Sequence, residues 1–144
     1  MTTSQPAWQF KHSVVCNAPR PFVWNYWTNI ENWNDPPATF HLDGPFDVGS
    51  TLTTNLPGQI LHSILRDVVR GREAIIEMQL SNAILSFHWS FEELTEERTR
   101  ITQQLVLSGS NAVAFVGQAS MLERSVPAGM KSLVAAIEGK LKVE

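Results

Sequence analysis

Residues 122–141 read LERSVPAGMKSLVAAIEGKL. Leu122, Val126, Met130, Leu133, Val134, Ile137 and Leu141 recur at steps of three and four. That spacing stacks side chains along one side of a helix. Lys131, Glu138, Lys140 and Lys142 fall on the opposite, solvated side. Pro127 either kinks one long helix or opens a second, because proline has no N–H and crowds the turn before it. Upstream of about residue 108 the chain reads mostly as strand. One long amphipathic helix after a run of strands must bury its stripe, and the sheet is the only partner large enough. The ordinary reading of the stripe is core. The sharper one is that helix and sheet close incompletely and leave a ligand cavity between them.

Working back from the helix, the strands are read from alternation. Residues 84–92 are the clearest: Leu85, Phe87, Trp89 and Phe91 share one face, and Ser86, His88, Ser90 and Glu92 the other. Residues 99–107 follow after a charged connection, with Ile101, Gln103, Leu105 and Leu107 inward. Residues 72–80 put Ala74, Ile76, Met78 and Leu80 inward. Residues 59–69 form a strand whose alternation slips, so a bulge is expected there. Pro57-Gly58 is a turn dipeptide before it, and residues 50–56 and 39–43 complete the run. At the start, residues 8–16 alternate, with Trp8, Phe10, His12, Val14 and Cys16 on one face. Pro19 and Pro21 then open a short helix that buries Val23, Trp24 and Trp27. A second short helical turn covers 30–33, and Asn34-Asp35-Pro36-Pro37 stops it. Residues 111–118 open the C-terminal helical region. Strands joined by short turns should pair as an antiparallel meander. One domain is expected to cover 1–144, with its core at about 8–141.

Composition narrows the function classes. The 144 residues are 43% hydrophobic and 17% charged, an ordinary globular balance. A net charge of −3 without a basic run argues against nucleic acid as the main partner. No apolar run approaches the ~20 residues that span a bilayer, so no integral membrane segment is expected. Residues 1–6 are polar and lack a signal peptide's plan, which makes a cytoplasmic location the expectation. Cys16 is the single cysteine, so an internal disulfide and a cysteine-rich zinc motif are both excluded.

The residues that carry chemistry are few. Histidines at 12, 41, 62 and 88 show no zinc spacing, and no metal or cofactor is implied. His12 shares a face with Phe10 and Val14 and is placed beside the expected cavity. Gln103 stands among Ile101, Leu105 and Leu107, and a buried amide needs partners in backbone, water or ligand. Cys16 has no base in its sequence context and reads as a small buried hydrophobe. Glu92-Glu93 and Glu96-Glu97 are paired carboxylates in form. Neighbours on a strand point to opposite faces, however, and the second pair lies in a turn, so a solvated hairpin is expected rather than an acid/base pair. No catalytic residue is assigned.

Several short pieces occur in a particular order: Ala18-Pro19 before Val23-Trp24, then Asn32-Trp33, then Leu42-Asp43-Gly44-Pro45-Phe46 with Val48-Gly49-Ser50, then Glu92-Glu93-Leu94, and Pro127 through Glu138. In that order they resemble the START-like (SRPBCC) superfamily, and within it the polyketide cyclase/dehydrase and lipid-transport branch. The resemblance runs from Phe10 to about Leu141 and departs from the family's pattern at residues 34–37. It implies an α+β helix-grip fold: a seven-stranded antiparallel sheet curled around a long C-terminal helix, with two short helices between the first two strands. It also implies an apolar cavity between sheet and helix. The expected function is binding or transport of a hydrophobic small molecule, lipid or polyketide-like. The alternative is a polyketide cyclase or aromatase using the same cavity, and a third reading is a protein-interaction module with a filled core and an exposed apolar patch. Placed against that cavity, the ligand-contacting residues are His12, Trp27, Trp33, Phe40, Met78, Phe87, Trp89, Gln103, Met130 and Val134. The protein is expected to be a monomer or homodimer.

Overall fold

A computed structural model describes residues 5–143. Most of the polar stretch 1–6 lies outside the described residues. Seven strands form one antiparallel sheet: β1 (Trp8–Cys16), β2 (Thr39–Asp43), β3 (Thr51–Leu56), β4 (Gln59–Val69), β5 (Glu73–Leu80), β6 (Ala83–Thr95) and β7 (Arg98–Ser108). Their order across the sheet is β1-β7-β6-β5-β4-β3-β2. The meander from β2 to β7 thus ends beside the first strand, and β1 and β2 are the two edges. The slip in the 59–69 alternation is a bulge between Leu65 and Asp67. A second bulge, between Glu93 and Thr95, lets β6 run on into the charged hairpin.

Helix α1 (Arg20–Trp27) has Pro at its first turn, where the missing N–H loses no helical bond, and it buries Val23, Trp24 and Trp27. A 3-10 turn at Ile30–Asn32 follows, capped by Asn29, whose side chain accepts from the Glu31 N–H at 3.1 Å. Helix α2 (Val116–Ser120) leads into α3 (Leu122–Val143). Pro127 lies inside α3, so the residue that left two readings open at sequence level sits within one continuous helix. Its position near the N-terminus limits the loss to about one intrahelical bond. Val126, Met130 and Ile137 of the stripe are buried, and Leu122, Leu133, Val134 and Leu141 are partly so. No helix among the described residues is long and apolar enough to cross a membrane.

Packing puts α1 against β6 and β7, and α3 along β1. Two carboxylates hold α3 there. Glu123 accepts a hydrogen bond from the Trp8 indole N–H at 2.8 Å, and Glu138 accepts from the Asn17 backbone N–H at 2.9 Å. These bonds join the two ends of β1 to opposite ends of the helix. The helix therefore covers one edge of the sheet and leaves the middle of the concave face to be filled by side chains.

Candidate functional site

On β7 the inward residues are Thr99, Ile101, Gln103, Leu105 and Leu107, all buried. Gln103 is the odd member. Antiparallel register sets it opposite His12 of β1 and Trp89 of β6. Directly opposed residues bring their Cβ atoms to about 5 Å. An imidazole, an amide and an indole therefore form one row across three strands. Ala74 of β5 continues the row beyond Trp89 as a small, fully buried floor.

The buried polar side chains of the sheet divide into two kinds. Thr99 is satisfied, donating from Oγ1 to the Ala18 carbonyl at 2.8 Å. Thr54, Ser63 and Gln103 have no hydrogen-bond partner for their side chains among the described residues, though they are only 8%, 1% and 6% exposed. Yet among the described residues no side-chain nitrogen or oxygen is both sealed from solvent and unpaired. Their polar atoms must therefore open onto accessible space, and all three sit on inward positions of the sheet.

The apolar side chains around them say the same. Phe87 and Trp89 lie on β6 with a strand on either side, and Met78 lies on β5. All three face inward and stay only partly buried, as do Leu133 and Val134 on α3. A closed core would bury central-strand side chains completely. Here alternation aims Phe87, Trp89 and Met78 at the concave side. An open groove of about 530 Å³ runs between β1 and α3, lined by His12, Val14, Pro127, Ala128, Lys131 and Val134. A second, of about 570 Å³, lies at the other edge against β2, where Ile30, Phe40, Leu42 and Phe46 meet Asn29 and Glu31. Both fall in the size range of small-molecule sites, roughly 300–1,000 Å³.

The ten residues singled out from the sequence fall into three places. His12 and Val134 line the β1 groove, Gln103 and Trp89 continue the row from His12 across the sheet, Phe87 and Met78 share its inward face, and Met130 is buried on α3. Phe40 lines the β2 groove and packs edge-on to Trp33, ring centres 5.3 Å apart. Trp27 is 2% exposed and is the hub of an aromatic cluster rather than a free wall. Its ring centre lies 5.0 Å from Phe46, 5.1 Å from Trp89 and 5.1 Å from Phe91. Trp33 also donates its indole N–H to the Trp27 carbonyl at 2.6 Å. Three site features escaped sequence reading. Ser63 sits just before the bulge that blurs the alternation of β4, Thr54 lies on a strand rich in threonine on both faces, and Phe46 lies in a loop where no alternation exists.

The remaining candidates stand apart from this surface. His41 and His62 are exposed on the convex face, and His88 lies there too, its Nε2 3.3 Å from a Glu73 carboxylate oxygen. Glu92 pairs with Arg100 at 2.8 Å, exposed, and Glu93, Glu96 and Glu97 are solvated. Cys16 is buried at the end of β1. Burial, helped by the negative charge of Glu138, pushes its thiol up to about 12 from an ordinary 9.0. The thiolate is the reactive form. Iodoacetamide at pH 8 should therefore leave Cys16 unmodified in the folded chain and alkylate it within minutes in 6 M guanidinium, about a thousandfold contrast in thiolate fraction. Mass spectrometry of the two samples checks this.

No family model matches the chain, and no curated protein sequence matches it. Solved structures do. A protein from Arthrobacter aurescens, determined by solution NMR, superposes with a TM-score of 0.70 at 18% identity, over 92% of this chain and 87% of its own. The Zhui aromatase/cyclase from Streptomyces sp. R1128 gives a TM-score of 0.69 at 17% identity, over 92% and 94%. Norcoclaurine synthase from Thalictrum flavum, in complex with dopamine and hydroxybenzaldehyde, gives 0.69 at 12% identity, over 94% and 87%. These neighbours are START-like (SRPBCC) proteins, and the fold shared with them is the helix-grip fold.

Proposed function

We propose that this chain binds a hydrophobic small molecule between the concave face of the sheet and α3. The observation that carries the reading is Gln103: an amide more than nine-tenths buried, unpartnered, on an apolar surface whose central residues Phe87, Trp89 and Met78 stay partly accessible. Apolar walls supply affinity at about 25 cal/mol per Å² buried, before the costs of ordering. A few polar groups orient the guest. A helix-grip neighbour, norcoclaurine synthase, was solved in complex with dopamine and hydroxybenzaldehyde, which supports a small-molecule reading of the fold.

A cyclase or aromatase would need a general acid or base beside an enolisable carbonyl. Among the described residues the titratable side chains on the inward positions of β1 to β7 are Cys16, His12, which stands at the groove, and Glu93, exposed at the end of β6. Binding without turnover therefore fits the site better. Native mass spectrometry of the purified protein, followed by solvent extraction, is the test. A co-purifying hydrophobic molecule of defined mass is the expected result. A bare chain that also shows no thermal shift with any lipid or polycyclic aromatic tested would overturn the reading.

A further inference from the structure

The site's polar groups have a chemical character that selects among hydrophobic guests. We infer that the ligand is an uncharged amphiphile, a hydrocarbon or ring skeleton bearing a hydroxyl or carbonyl, and that this oxygen sits on the Gln103 amide. The inference rests on the binding reading above and goes beyond it by naming the ligand's class.

The argument starts from what the concave face lacks. Alternation along β1 to β7 brings no Lys or Arg to an inward position among the described residues, and its one carboxylate there, Glu93 opposite Thr99, is exposed at the far end of β6. The inward polar groups left without a partner in the interior are an imidazole, two hydroxyls and an amide: His12, Thr54, Ser63 and Gln103. A carboxylate or phosphate moved onto this surface would lose its hydration and meet no fixed cation, and an unpaired buried charge is among the costliest groups a protein can hold. A hydroxyl or carbonyl loses far less and can be repaid by one or two hydrogen bonds.

Gln103 then supplies the match. Its amide offers both a carbonyl acceptor and NH₂ donors. A ligand hydroxyl can use both sides and a ligand carbonyl the NH₂. A carboxylate, which only accepts, leaves the glutamine oxygen unserved. His12, directly across from Gln103 on β1, can complete the coordination from the groove side. Ser63 and Thr54 give the β3–β4 end of the face the same neutral hydroxyl character. Among the described residues the one cation lining the β1 groove is Lys131, an exposed α3 residue at its rim. It lies outside the row and is free to stay in water.

The test compares 1-decanol with decanoate at pH 8, where chain length is held and only the head group changes. Binding to the full chain is read by displacement of 1,6-diphenylhexatriene, a probe with no polar atom. Decanol is expected to displace the probe at a concentration at least tenfold lower than decanoate. Gln103→Leu should weaken decanol about five- to tenfold relative to the probe, the worth of one or two hydrogen bonds. Decanoate binding equally or more tightly in the wild-type chain would overturn the inference and leave the hydrophobic site standing. Lys131→Ala would then abolish that preference if the anion sits at the rim. A wild-type chain that binds neither the probe nor decanol would instead remove the binding reading itself. The alcohol–acid comparison needs no variant, so it holds even if Gln103→Leu folds poorly.

Discussion

Trp27→Ala is expected to cost about 3–5 kcal/mol of stability, the range for removing a large aromatic from a packed interior. Trp27 is 2% exposed, and its ring centre lies within 5.9 Å of those of Trp24, Trp33, Phe46, Trp89 and Phe91. Aromatic pairs in such tilted and edge-on arrangements add to simple area burial. The substitution also breaks contacts through which α1 meets both β6 and the loop carrying Phe46. In a chain of this length the loss corresponds to a fall in melting temperature of roughly 10 °C or more. Trp27→Phe keeps an aromatic at the hub and should lose less than half as much. Differential scanning calorimetry of both variants decides it. A fall of only a degree or two for Trp27→Ala would mean that the cluster repacks freely.

That cluster marks where sequence reading stops. The stripe on α3 and the alternation of β5, β6 and β7 are legible because burial on one side imposes a period on the residues themselves. The bulge in β4 is legible as a break in that period. The burial of Trp27 is legible because one side of a short helix is apolar, but that pattern does not show what the ring meets. Its partners Phe46 and Trp89 are 19 and 62 residues away in sequence, and only the meander topology brings them together.

The site is split in the same way. Gln103 stands out at sequence level because one amide interrupts five inward positions of β7. Its opposition to His12 follows from β1 pairing with β7, a long-range fact. Ser63 and Thr54 are invisible without register, because small hydroxyl residues occur on either face of a strand. The clamp from Glu123 and Glu138 to β1 is hidden for another reason. Carboxylates on a helix are ordinarily solvated, and these two acquire partners only because α3 lies along the sheet edge.

Gly109→Ala is expected to be the most damaging of the small substitutions, at about 3–5 kcal/mol. Gly109 ends β7 with φ +117°, a conformation that side-chain-bearing residues rarely adopt and that alone costs on the order of 1–3 kcal/mol. A Cβ there would also stand 2.8 Å from the Ala83 Cα and 2.9 Å from the Asn82 carbonyl oxygen. Both are backbone atoms of the β5–β6 turn and cannot swing aside. The neighbouring bonds show why the approach is close: the Asn111 N–H donates to the Asn82 carbonyl at 2.9 Å, and its side-chain NH₂ donates to the Ser81 carbonyl at 3.0 Å. This is the anchor from which the chain leaves the sheet for α2 and α3, so relieving the clash must shift the helix that closes the site. Gly58→Ala is the matched control. It has φ +76° but nothing within 4 Å of the added carbon, so it carries the conformational cost without the collision. Chemical unfolding should separate the two by about 2 kcal/mol, and only Gly109→Ala should loosen binding of diphenylhexatriene. Equal losses would mean that the β5–β6 turn yields to the methyl, and that α3 holds its place through the Glu123 and Glu138 bonds to β1 alone.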